Sequence, residues 1–101
     1  MRLSEHEKES LKQAALACFG YGTRLRLFGS RADEHRKGGD IDLLIESHLT
    51  DPADIAKAHT RFLSQIYTCL GEQKVDVLID YPGRRSYPPI FQVAQEQGIV
   101  L

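Results

Sequence analysis

Asp40 and Asp42 stand one residue apart at the head of an apolar run, Ile41-Asp42-Leu43-Leu44-Ile45. Nine residues separate Asp40 from Gly29-Ser30, which close an earlier run, Leu25-Arg26-Leu27-Phe28. In an extended strand residues i and i+2 project to the same face, so the two carboxylates lie side by side and Ile41, Leu43 and Ile45 line the other face. Adjacent carboxylates repel unless a positive charge lies between them, and a hard divalent cation such as Mg²⁺ suits that place. A third acid, Asp76, interrupts the run Lys74-Val75-Asp76-Val77-Leu78-Ile79. Aspartate is depleted in strands, so this residue calls for a role beyond solvation. Asp80 shares its face, but it abuts the turn Tyr81-Pro82-Gly83 and reads as a strand-end residue.

The order of these parts resembles the signature of the DNA polymerase β-type nucleotidyltransferase superfamily: hydrophobic-Gly-Ser, a spacer, Asp-hydrophobic-Asp-hydrophobic, then a third acid in a later strand. Within it, the short chain is most similar to the minimal nucleotidyltransferases, the antitoxin partners of HEPN-domain toxins. The likeness spans almost the whole chain and rests on Gly29, Ser30, Arg31, Asp40, Asp42 and Asp76. The spacer is slightly shorter than many members carry. The resemblance implies a single minimal domain over residues 1–101, with a polymerase β-like α+β fold: a small mixed sheet with helices packed on one face.

It also implies transfer of AMP from ATP to a hydroxyl, that of a tyrosine, on a HEPN toxin encoded by the adjacent gene. The toxin would thereby be silenced, and the pair could form a hetero-oligomer. Such transfer needs the polyphosphate gripped and the charge on the attacking and leaving oxygens neutralised, a task suited to two Mg²⁺ ions. Asp40 and Asp42 would bridge both ions, and Asp76 would hold the one nearer the acceptor. Gly29 lets backbone approach the phosphates. The Ser30 hydroxyl and the amides after it can donate to the β- and γ-phosphates, and Arg31 can add a charge-assisted contact to the triphosphate. Two other readings share the fold: an antitoxin that only occludes its partner, and an aminoglycoside-type enzyme acting on a small molecule. The last is disfavoured because a domain this small has little wall left for an acceptor after holding ATP. A Walker A loop, a dinucleotide fingerprint and an EF-hand loop are missing.

Length and charge fit that scale. The 101 residues suffice for one domain, and a net charge of −1 gives no overall field to recruit nucleic acid or an acidic membrane. Arg24, Arg26, Arg31, Arg36 and Lys37 nevertheless cluster around the motif. No apolar run is long enough to span a membrane. The first residues do not read as a secretory signal, and Cys18 and Cys69 read as buried, reduced thiols within helices. Both points favour the cytoplasm.

The elements that must hold these residues follow from pattern. Ser4-Glu5-His6-Glu7 has the form of a capping box opening a helix to about Phe19, with Leu11, Ala14, Ala15, Cys18 and Phe19 on one stripe. Strands are expected near 25–28, 40–46 and 74–80. Residues 31–37 have little to bury and belong at the surface, with room for a turn or two of helix, and Gly38-Gly39 leads into the second strand. Thr50-Asp51-Pro52 starts a helix to about Leu70, with Ile55, Phe62, Leu63, Ile66, Tyr67 and Leu70 on its stripe. A last helix spans about 89–97. The tail Ile99-Val100-Leu101 either completes the core or forms a docking patch. His6, His35, His48 and His59 read as solvated, though His35 lies in the connector within reach of a substrate. Arg84 and Arg85 read as an exposed turn.

Overall fold

Helix α1 (Glu5–Phe19) starts where the first hydroxyl allows it. Ser4 Oγ accepts from the Glu7 amide and Glu7 Oε1 accepts from the Ser4 amide, each at 3.0 Å, so two otherwise orphaned donors are satisfied reciprocally. Helix α2 (Pro52–Leu70) begins in the same manner, with the Asp51 carboxylate accepting from Ala53 N and proline in the first turn. The computed structural model describes residues 1–35 and 39–101. Arg36, Lys37 and Gly38, which the sequence places in the basic cluster and the re-entry to the second strand, lie outside the described residues.

Four strands form one mixed sheet in the order β3-β2-β1-β4. They are β1 (Arg24–Phe28), β2 (Ile41–Glu46), β3 (Val75–Asp80) and β4 (Ile99–Val100). β1 runs antiparallel to β2 and to β4. β2 and β3 are parallel and are joined through α2, the crossover that parallel neighbours require. The expected α+β class and mixed sheet are present. The second strand begins at Ile41, so Asp40 stands just before it.

The alternation of β2 splits the interior in two. Leu25, Leu27, Ile41, Leu43 and Ile45 face the two long helices and pack with Leu11, Phe19, Phe62 and Ile66. Phe19 and Phe62 meet edge to face, their centroids 6.1 Å apart. On the other face Phe28, Leu44 and Leu78 meet Phe91 and Ala94 of the short helix α3 (Pro89–Gln97). The face that carries the acids is therefore partly covered, and it opens beside α3.

Three side chains depart from their expected places. Leu63 and Tyr67 of α2 are exposed, Tyr67 by 63%. The stripe that reaches the core is the narrower Ala58-Phe62-Ile66, which leaves residues one step round the helix on its flank. Cys69 is exposed, while Cys18 is half-buried and donates to Gln65 Oε1; burial pushes the Cys18 thiol up. The tail becomes β4, with Leu101 N donating to Leu25 O at 2.9 Å and the Leu101 side chain packed against the main core. Among the described residues no helix is long and apolar enough to cross a membrane.

Candidate functional site

Register, set by burial, brings the site together. Because Leu43 and Ile45 must face the helices, Asp42 must face the other way, and in β3 the same rule turns Asp76 outward. Phe28, Asp42 and Asp76 are successive partners across β1, β2 and β3. Neighbouring strands lie about 4.8 Å apart, so the directly paired Asp42 and Asp76 project side by side from one face. Burial, then the charges of Asp76 and Asp40, push the Asp42 carboxyl above the usual aspartate range, and Lys74 partly offsets them. Two acids that crowd each other in this way stand where a cation would relieve both.

Gly29 makes room for this pair. It opens a 3-10 turn (Gly29–Ala32) directly after β1 with φ +72°, and a β-carbon there would collide with Asp42 Oδ2. The backbone thus passes against the carboxylate at a point where only glycine fits.

A cleft of about 830 Å³ opens over these residues. Gly29, Asp42 and Asp76 form one part of its lining, and Asp33, Glu34 and His35 form a rim. Its remaining wall, from Met1, Phe28, Ala32, Leu78, Ile90 and Val93, is apolar except for Gln97. His35 is exposed, and its amide donates to Asp33 Oδ1 at 2.9 Å.

The other residues singled out by the sequence stand elsewhere. Asp40 pairs with Lys74 at 3.4 Å, the lysine largely solvated and the aspartate about half, and does not line the cleft. Arg31 points away from it. Its Nη1 donates to Arg2 O at 2.9 Å and its Nη2 to Gly39 O at 3.1 Å, with Glu7 Oε2 3.9 Å away. The guanidinium ties the segment before α1 to the connector, so the triphosphate contact expected of it is not prepared. Ser30 uses its carbonyl to accept from Arg2 Nη2 and Asp33 N, and it too lies outside the lining.

Asp80 is the strand-end residue its position suggested. It lies four residues beyond Asp76 and accepts from Tyr87 Oη at 2.6 Å. Arg84 is not a free exposed cation. Its guanidinium lies 4.4 Å from the Phe91 ring centre and 5.5–5.6 Å from those of Tyr81 and Tyr87, and it donates to Ile79 O and Ser86 O. His48 Nε2 sits 3.0 Å from Gly22 O and donates to it.

Among the described residues no three His, Cys, Asp or Glu side chains converge closely enough to hold a metal ion by themselves. Two carboxylates are nevertheless an adequate protein share for Mg²⁺, which keeps water and phosphate oxygens for its other positions. Asp42 and Asp76 fit that donor set, and Asp40 would add to it on leaving Lys74. The α3 wall has a faint signal in the sequence, Ile90, Val93 and Gln97 at helical spacing (i, i+3, i+7). No protein-family model matches this chain, and no match was found among curated proteins.

Proposed function

We propose that the protein is a Mg²⁺-dependent nucleotidyltransferase that moves AMP from ATP to a hydroxyl of a partner protein, breaking the α–β phosphoanhydride bond and releasing pyrophosphate. The observation that carries this reading is the meeting of Asp42 and Asp76 against Gly29 in one open cleft. Mg²⁺ bound there, as one ion or as a pair once Asp40 joins, would neutralise charge on the phosphates and on the attacking and leaving oxygens. The chain's own residues supply the rest. Asp76, exposed at the cleft, would accept the proton of an incoming hydroxyl. Gly29 seats the Asp42 carboxylate against the turn that lines the cleft. The open rim suits an acceptor that brings its own surface, which supports a protein over a small molecule.

The likeness to minimal nucleotidyltransferases supports a HEPN-domain toxin as the partner, a tyrosine hydroxyl as the acceptor, and a cytoplasmic toxin–antitoxin pair as the setting. A second reading, an antitoxin that acts by occlusion, is favoured by Asp40 standing outside the cleft on Lys74. Incubating the chain with its neighbouring gene product, Mg²⁺ and labelled ATP separates the two. Label on the partner that falls by several powers of ten with Asp42→Asn or Asp76→Asn supports transfer. No label, with neutralisation intact in both variants, supports occlusion.

A further inference from the structure

The cleft has two chemically different parts, and the acids occupy only one. On the other side α3 turns Ile90, Val93 and Gln97 toward the space, while Phe91 and Ala94 on the neighbouring stripe hold the helix to the sheet. From Ile90 to Gln97 the helix rises about 10 Å. With Phe28 and Leu78 at its foot, this wall is an apolar surface ending in one carboxamide. Gln97 is exposed, and its amide makes no hydrogen bond to a described residue, whereas nearby Gln92 Nε2 donates to Glu96 Oε1 at 3.0 Å.

Resting on the nucleotidyl-transfer reading, we infer that the α3 wall receives the nucleobase and that Gln97 selects adenine. The flat base would lie against Ile90 and Val93, withdrawing from water the exposed apolar surface of both. A carboxamide presents one acceptor and one donor side by side. Adenine offers the matching N6 donor and N7 acceptor, whereas guanine presents O6 and N7, both acceptors. With its N7 edge turned to the helix, as this inference places the base, guanine would set its O6 against Gln97 Oε1. A phenol from an acceptor tyrosine has a single polar atom and would use only half of the amide.

The test is calorimetric binding of ATP, GTP and inorganic tripolyphosphate, each with Mg²⁺, to the full chain and to Gln97→Ala and Gln97→Arg. Residue 97 is exposed, so both variants are expected to fold, and thermal melts check this. The inference expects the parent protein to prefer ATP over GTP by about tenfold or more. Gln97→Ala should level the two, and Gln97→Arg should invert the order, because Arg donates twice to guanine O6 and N7. Tripolyphosphate affinity should change little in either. If the parent binds tripolyphosphate and both nucleotides but the ATP/GTP ratio ignores residue 97, the base assignment is overturned while the phosphate site stands. If the parent binds none of the three, nucleotidyl transfer fails and the inference falls with it.

Discussion

Gly29 and Asp42 touch across the end of the sheet, so closely that no β-carbon fits at position 29 without meeting the carboxylate. The first turn after β1 and the middle acid of the motif are thereby a single packed unit. Gly29→Ala is expected to cost about 2–4 kcal/mol, combining left-handed strain with displacement of Asp42. Gly71→Ala is the control, since position 71 has a similar φ of +77° but open space around it. It should carry the backbone strain alone, about 1–3 kcal/mol, with no displaced carboxylate. Urea unfolding of the two variants, alongside Mn²⁺ binding, measures the difference, and only the first should weaken the metal.

Two acids give the stability opposite slopes with pH. The Glu7 carboxyl is held down, chiefly by the Ser4 backbone hydrogen bond, so its contribution is present above the usual glutamate range and is lost as the solution acidifies. The Asp42 carboxyl is pushed up by burial, Asp76 and Asp40. Its cost is absent below the unfolded value of about 4 and grows as pH rises through the higher folded value. Without divalent cation, Asp42→Asn should therefore be more stable than the parent at neutral pH, with the gap closing near pH 4. Added Mg²⁺ should reverse the order by stabilising only the parent. Melting curves across pH with and without the ion check both statements.

Arg31 is expected to act on folding through the carbonyls it holds. Arg31→Ala should destabilise by about 1–3 kcal/mol, because two carbonyls lose a charged donor. Arg31→Lys should not restore stability, since one ammonium cannot reproduce the fork that spans Arg2 O and Gly39 O. Hydrogen exchange of the first residues, faster in both variants, would locate the effect.

Arg84 locks the segment between β3 and α3 by lying against three rings. Arg84→Ala is expected to cost about 1–2 kcal/mol, one hydrogen-bonded cation with its ring contacts. Faster exchange of amides 81–91 with little change in α1 should accompany it.

What the sequence revealed and what it hid divide by range. The Ser4–Glu7 cap, the Asp51-Pro52 helix start and the outward turn of Asp42 and Asp76 are local: a few neighbours decide them. The pairing of Ile99-Val100 with Arg26-Leu27 depends on residues far off in the chain, so an apolar tail could not be told from a docking patch. Tyr67 stays outside the core because the apolar stripe on the 19-residue α2 is broader than the surface it meets. Arg31 and Asp40 show the same limit at the site. Their positions follow from the motif, but where a long side chain or a strand-leading acid points depends on Arg2, Gly39 and Lys74.

β4 has one more consequence. Gly98 leads straight from α3 into β4, and β4 pairs with Arg26 and Leu27, just before the turn that meets Asp42. Both walls of the cleft, α3 and the turn after β1, are thus tied to one backbone seam. The spacing of the two walls is thereby set by the sheet they share.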